Sequence, residues 1–144
     1  MCWTRWRPAR AAAVALLLLG AAGCGSRLQK VRGKVTYPDG RPVTEGMVVF
    51  ETRDDKEPIT ARGEIQPDGS YQLSTFKPGD GARLGKHRVL VAPKFDPNAV
   101  DGPAKPPPFD PRYADFKTSG LEYEVTAGPN DYPIRVSPAG GRPR

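Results

Sequence analysis

The chain has only two cysteines and one histidine among 144 residues, and that scarcity removes several kinds of chemistry at once. A structural zinc site takes four Cys or His ligands, which Cys2, Cys24 and His87 cannot supply. A disulfide framework needs paired cysteines throughout the fold. A nucleophilic centre would have to be built around His87 alone. Near the start of an alternating strand, His87 reads instead as a strand residue satisfied by a neighbour or by water. No block of Lys and Arg and no aromatic interleaving of a nucleic-acid groove is present. The formal charge is +6; without Arg5, Arg7 and Arg10 it falls to +3, 19 basic against 16 acidic residues. Nucleic acid is therefore set aside as a partner. A long hydrophobic run is missing too: the apolar stretch 11–23 is 13 residues, short of the roughly 18–20 that cross a bilayer.

What is abundant is glycine, 16 residues, and proline, 17. Neither sits comfortably inside a helix, so the composition points to short strands separated by many turns. The length allows one domain with one modest core.

Residues 1–23 have the three-part layout of an export signal, a signal helix to be removed: Arg5, Arg7 and Arg10, the stretch AAAVALLLLG, then Ala21, Ala22 and Gly23. Cys24 follows. The string AAGC at 21–24 resembles the lipobox of bacterial lipoproteins, in which the cysteine is acylated and becomes the new N-terminus; Ala21 stands where that motif usually has Leu. Cys2 lies in the segment to be removed, so no disulfide partner for Cys24 survives. Each buried methylene of an acyl anchor adds about 0.8 kcal/mol, so two or more chains hold firmly. The resemblance implies lipid attachment at Cys24 and a mature protein tied to a membrane of the cell envelope. Gly25 in place of the Asp that marks inner-membrane retention in some bacteria favours the outer membrane, facing the periplasm or the surface.

Residues 24–30 read as a polar tether, and alternation begins at Val31. Val31, Gly33, Val35 and Tyr37 share one parity, Arg32, Lys34 and Thr36 the other, the period of a strand with one buried face. PDGRP at 38–42 is a turn. A second strand spans 43–52, with a β-bulge expected at Gly46. A third spans 59–65, and PDGS at 67–70 makes a hairpin with a fourth over 71–75. KHRVLVAP gives a fifth, apolar on both faces and therefore central. The segment 93–120 holds seven prolines and is predicted to be a long surface loop, partly polyproline II. Two strands close the domain: Leu121, Tyr123 and Val125 mark one, and Tyr132, Ile134 and Val136 the other, where Pro133 suggests an edge. The tail 137–144 is expected to be disordered. Seven short strands with regular turn signals predict an all-β, immunoglobulin-like β-sandwich over 31–136.

The run VRGKVTYPDGRPVTEGMVVFE, then GEIQPDGSYQL and GKHRVLV, resembles the carboxypeptidase regulatory-like domain, a transthyretin-like β-sandwich. YADFKTSGLEYEVTAGPND resembles small bacterial lipoproteins built from that one domain. The resemblance implies fold and location and no established activity. The enzymatic branch of the transthyretin-like fold, the hydroxyisourate hydrolases, uses several histidines, an arginine and a C-terminal Tyr-Arg-Gly-Ser; this chain has one histidine and ends GRPR.

Other candidate sites are weak. DPNAVDG at 96–102 fails the register of a calcium loop, with Val100 and Pro107 at ligand positions. Asp54, Asp55 and Glu57 read as a solvated acidic loop. No metal, cofactor or catalytic residue is assigned. The sequence thus predicts a non-enzymatic envelope lipoprotein that binds a protein or polysaccharide or serves a structural role. Its rival is a surface carbohydrate-binding module, which would display several coplanar exposed aromatics. PPPFDP reads as a stiff loop or as a polyproline ligand for an aromatic groove, and Tyr113 and Phe116 either stand exposed for glycan or peptide recognition or fold back on the sandwich as a lid.

Overall fold

The computed structural model describes residues 28–94 and 106–140. Cys24, the signal segment and the DPNAVDG loop lie outside the described residues.

Ten strands follow one another: β1 Leu28–Gln29, β2 Val31–Thr36, β3 Met47–Thr52, β4 Thr60–Glu64, β5 Ser70–Gln72, β6 Ala82–Arg83, β7 Gly85–Ala92, β8 Leu121–Val125, β9 Asn130–Asp131 and β10 Ile134–Arg135. A 3₁₀ turn, Pro111–Ala114, precedes β8. They form an all-β sandwich. One sheet has the order β4-β3-β7-β8, antiparallel throughout. The facing sheet is built on β2, which pairs antiparallel with β5 and parallel with β9 and β10. A two-stranded ladder, β1 with β6, closes one end.

The alternation read from the sequence sets which side chains face inward. Val48, Phe50, Val89 and Val91 from one sheet meet Val31, Val35, Leu73 and Ile134 from the other, all buried. Each such side chain contributes about 1.5–3 kcal/mol relative to exposure. β7 is central, between β3 and β8, as its two apolar faces predict. The last strand is an edge, split into β9 and β10 at Tyr132 and Pro133.

The second strand differs from the expectation. Pro42 bridges to Thr36, and the Val43 amide donates to the Val35 carbonyl at 3.0 Å, so this piece belongs to the sheet of β2. Met47–Thr52 belongs to the other sheet. Gly46 is therefore the crossover between layers. Its φ of +137° and the Ala92 carbonyl 2.8 Å from where a Cβ would sit leave room only for glycine. The PDGS turn forms as predicted, with the Gly69 amide donating to the Gln66 carbonyl at 2.8 Å. Its arms enter different sheets, however, and are bridged again at Arg62 and Ser74.

Both ends of the domain reach further than the sequence indicates. Within the tether, Leu28 and Gln29 are a strand, because Ala82 and Arg83 offer them backbone partners and the Gln29 side-chain oxygen accepts from the Gly128 amide at 3.0 Å. At the other end, Ser137–Ala139 pack on the proline-rich loop: the Asp110 amide donates to the Ser137 carbonyl at 2.9 Å, and Phe109 bridges to Pro138. Prolines have no amide to offer, so the loop meets its backbone needs by taking the start of the tail as a partner.

Candidate functional site

His87 lies on the inward face of β7, opposite Thr52 and Tyr123, and is 1% exposed. Its Nδ1 is 2.9 Å from the Gly85 carbonyl, and its ring meets that of Phe50 at 5.8 Å. Burial pushes its pKa below the ordinary histidine value, against the smaller pull of the Gly85 carbonyl and of Asp55. A cleft of about 200 Å³ reaches the imidazole between Arg53, Lys86, Glu122, Tyr123 and Glu124. Glu122 and Glu124 alternate with Tyr123 along β8 and so face away from the side that holds His87. Glu122 is also paired with Arg53. Among the described residues no carboxylate hydrogen-bonds the imidazole, and a base without an orienting acid lacks the arrangement of a general-base centre.

The acidic loop is not drawn together. Asp55 pairs with Arg83 at 3.3 Å, while Asp54 and Glu57 point into solvent. Among the described residues no three His, Cys, Asp or Glu side chains gather as a metal site.

The described aromatics of the proline-rich loop, Phe109, Tyr113 and Phe116, fold inward. The Asp110 side chain caps the 3₁₀ turn by accepting from the Arg112 amide at 3.0 Å, and Pro111 occupies its start. This turn drives Tyr113 into the sandwich, where its hydroxyl accepts from Arg112 Nη2 at 2.7 Å and from the Ser137 amide at 3.3 Å. Phe109 is fully buried beside Gly46. Phe116 is half-buried beneath the Arg88 guanidinium, 5.5 Å from its ring centre. The lid alternative is thus the one adopted, and among the described residues the loop presents no aromatic platform.

Two features had no signal in the sequence. One is Asn130, 3% exposed. Its side-chain oxygen accepts from the Thr126 amide at 2.9 Å, and its nitrogen donates to the carbonyls of Thr126 and Gly128, both at 2.9 Å. Its own amide donates to the Lys30 carbonyl at 3.1 Å, fastening the 126–130 turn to the segment between β1 and β2. The other is an open groove of about 800 Å³ beside Asn130, lined by Lys30, Arg32, Glu64, Gln66, Ser70 and Gln72. Arg32 and Gln72 are direct cross-strand neighbours there. With cations, amides, a hydroxyl and one carboxylate on its walls, the groove can hydrogen-bond a polar chain.

No family model matches the sequence, and no curated protein does. Among solved structures, the chain is similar to a DUF3823 family protein from Parabacteroides merdae, at 17% identity and a TM-score of 0.44. The match covers 76% of this chain and 46% of that one, so the chain spans under half of that protein's length.

Proposed function

We propose that the protein is a cell-envelope lipoprotein, acylated at Cys24 and held on a membrane, the outer one favoured. On this reading its carboxypeptidase-regulatory-like, transthyretin-like sandwich binds or organises a partner and performs no catalysis. The observation that carries the reading is the succession of lipobox and fold. AAGC ends at Cys24, and the sandwich is already paired at Leu28, four residues later. An acyl group on Cys24 would hold the domain close against the bilayer, firmly if two or more chains are attached. The buried His87, with no carboxylate hydrogen-bonded to its ring among the described residues, supports a non-catalytic role, and the polar groove at Arg32 and Gln72 supports an envelope protein or polysaccharide as partner. The packing of Phe109 and Tyr113 speaks for this reading over a carbohydrate-binding module, which needs its aromatics outside.

Intact-mass measurement of membrane-extracted protein, with and without an inhibitor of lipoprotein signal peptidase, tests the proposal. The expected species begins at an acylated Cys24, disappears under the inhibitor, and is lost to the soluble fraction in Cys24→Ser. An unmodified mature terminus, or membrane retention unchanged by Cys24→Ser, overturns it.

A further inference from the structure

Among the described residues two large hydrophobic side chains stand exposed, Phe76 at 76% and Leu84 at 40%. Both flank the place where the chain comes in from Cys24. Leu28, the first described residue, is paired with Arg83, so Leu84 is next to the partner of the incoming chain. Phe76 reaches the same place by another route. Its neighbour Thr75 donates its hydroxyl to the Gly81 carbonyl at 2.6 Å. Gly81 lies so close to β1 that a Cβ there would fall 1.8 Å from the Gln29 carbonyl.

The loop that carries Phe76 is fixed in shape. The Asp80 carboxylate accepts from the amides of Thr75 at 2.6 Å, Phe76 at 2.9 Å and Lys77 at 2.9 Å, and the Ser74 hydroxyl accepts from the Gly79 amide at 2.9 Å. A loop so tied holds its phenylalanine outward and cannot fold it back onto the core. The other described aromatics are buried or half-buried, Phe109, Tyr113 and Phe116 of the proline-rich loop among them, so among the described residues Phe76 is the one exposed aromatic ring.

We infer that the Phe76 loop and Leu84 dip into the bilayer beside the lipid anchor, fixing the sandwich with this end toward the membrane. The inference rests on acylation at Cys24. Leu28 is four residues on from Cys24, a span of at most about 14 Å, so the end of the domain next to β1 cannot stand far from the headgroups. An exposed aromatic and a leucine at that height enter the interfacial layer, with Lys77 positioned to keep its ammonium among the headgroups. The neighbouring 53–58 loop joins this end through the Asp55–Arg83 pair and carries Asp54 and Glu57 in solvent. The same loop also exposes Arg53 and Lys56, so this end carries charge of both signs, not a purely cationic patch, and the contact rests chiefly on the two apolar side chains. It is insensitive to salt, in contrast to polybasic adhesion to anionic lipid.

A fluorescence experiment on the full chain tests this. Both tryptophans, Trp3 and Trp6, lie in the segment removed with the signal, so Phe76→Trp makes a sole reporter in the mature protein. At an exposed position the exchange leaves the fold intact. Thr44→Trp, exposed beyond the far end of β2, is the control. Each processed variant is placed in vesicles of phosphatidylethanolamine and phosphatidylglycerol containing brominated acyl chains. The Phe76→Trp variant should show blue-shifted emission and severalfold greater quenching than the Thr44→Trp control. Quenching should be strongest with bromine at shallow positions, because interfacial burial reaches only about 5–10 Å, and unchanged by added salt. Flotation with the vesicles and an acylated mass, but equal, solvent-like emission from both variants, overturns the orientation and leaves the anchor standing. A soluble chain with unmodified Cys24 overturns the anchor and the orientation with it.

Discussion

The phenol of Tyr71 donates to the carbonyl of Tyr132 at 2.6 Å, joining residues 61 apart in sequence. Tyr71 comes from β5, on one side of β2; Tyr132 separates β9 from β10, on the other. The bond passes under β2 at Gly33, where a Cβ would lie 2.0 Å from the Tyr132 oxygen and 2.8 Å from the phenol oxygen. The carbonyl it serves lies just where Pro133, lacking an amide, interrupts the edge strand. Tyr71→Phe keeps the packing and strips that carbonyl of its donor, at a cost of about 1–3 kcal/mol. The check is a lower melting temperature with unchanged far-ultraviolet dichroism. Tyr71→Phe matching the parent would mean that the carbonyl finds water instead.

Asn130 satisfies both loop and incoming chain, so its removal should be felt at a distance. Asn130→Ala leaves the Thr126 and Gly128 carbonyls without their side-chain donor and the Thr126 amide without its acceptor. We expect a loss of about 2–4 kcal/mol, since each stranded buried group costs about 1–3 kcal/mol and loop relaxation recovers part. Amide exchange separates this from uniform weakening: protection should fall first at Thr126, Gly128 and Asn130, ahead of β3 and β7.

The strand inventory was legible because each longer strand carries its own alternation. Val31 and Val35 are buried on the parity they share, and Val89 and Val91 on theirs. The partition of strands between sheets was not legible, since the interruption of the 43–52 pattern at Glu45 and Gly46 fits a bulge within one strand as well as a change of layer. Two-residue strands such as β1 and β6 are too short to show any period. Asn130 gave no signal, because most of its partners are backbone groups whose positions only the fold defines. The fate of Phe109 and Tyr113 was open for a related reason: proline content shows that a segment avoids a central strand, not whether its aromatics find a cavity. The reading of Cys24 rests on its motif alone, and the residue lies outside the described residues.

Phe109 is fully buried at the crossover before β3, so this part of the proline-rich loop belongs to the core. Phe109→Ala should cost about 3–5 kcal/mol, the range for emptying a phenylalanine site. Phe116→Ala removes a half-buried ring and its contact with Arg88, and should cost about 0.5–1 kcal/mol. Denaturant midpoints of the two variants decide the matter. Equal small effects would make the loop an appendage, and a large effect at Phe109 alone makes it a structural wedge.

His87 gives the domain an acid-sensitive stability. In the folded protein burial holds its pKa below the ordinary histidine value of 6.5; in the unfolded chain it titrates near that value. Between the two, the unfolded state binds a proton that the folded state refuses, so unfolding is favoured as protons are added. The contribution of His87 is therefore complete above about pH 6.5, erodes as pH falls below it, and stops changing once the folded pKa is passed. His87→Gln, which cannot titrate, should flatten this part of the profile while lowering stability at pH 8 through imperfect filling of the space against Phe50. Melting temperatures of parent and variant measured from pH 8 to pH 5 should converge toward the acid end. Parallel curves would mean that the imidazole takes up its proton as readily folded as unfolded, with solvent reaching it through the cleft beside Tyr123.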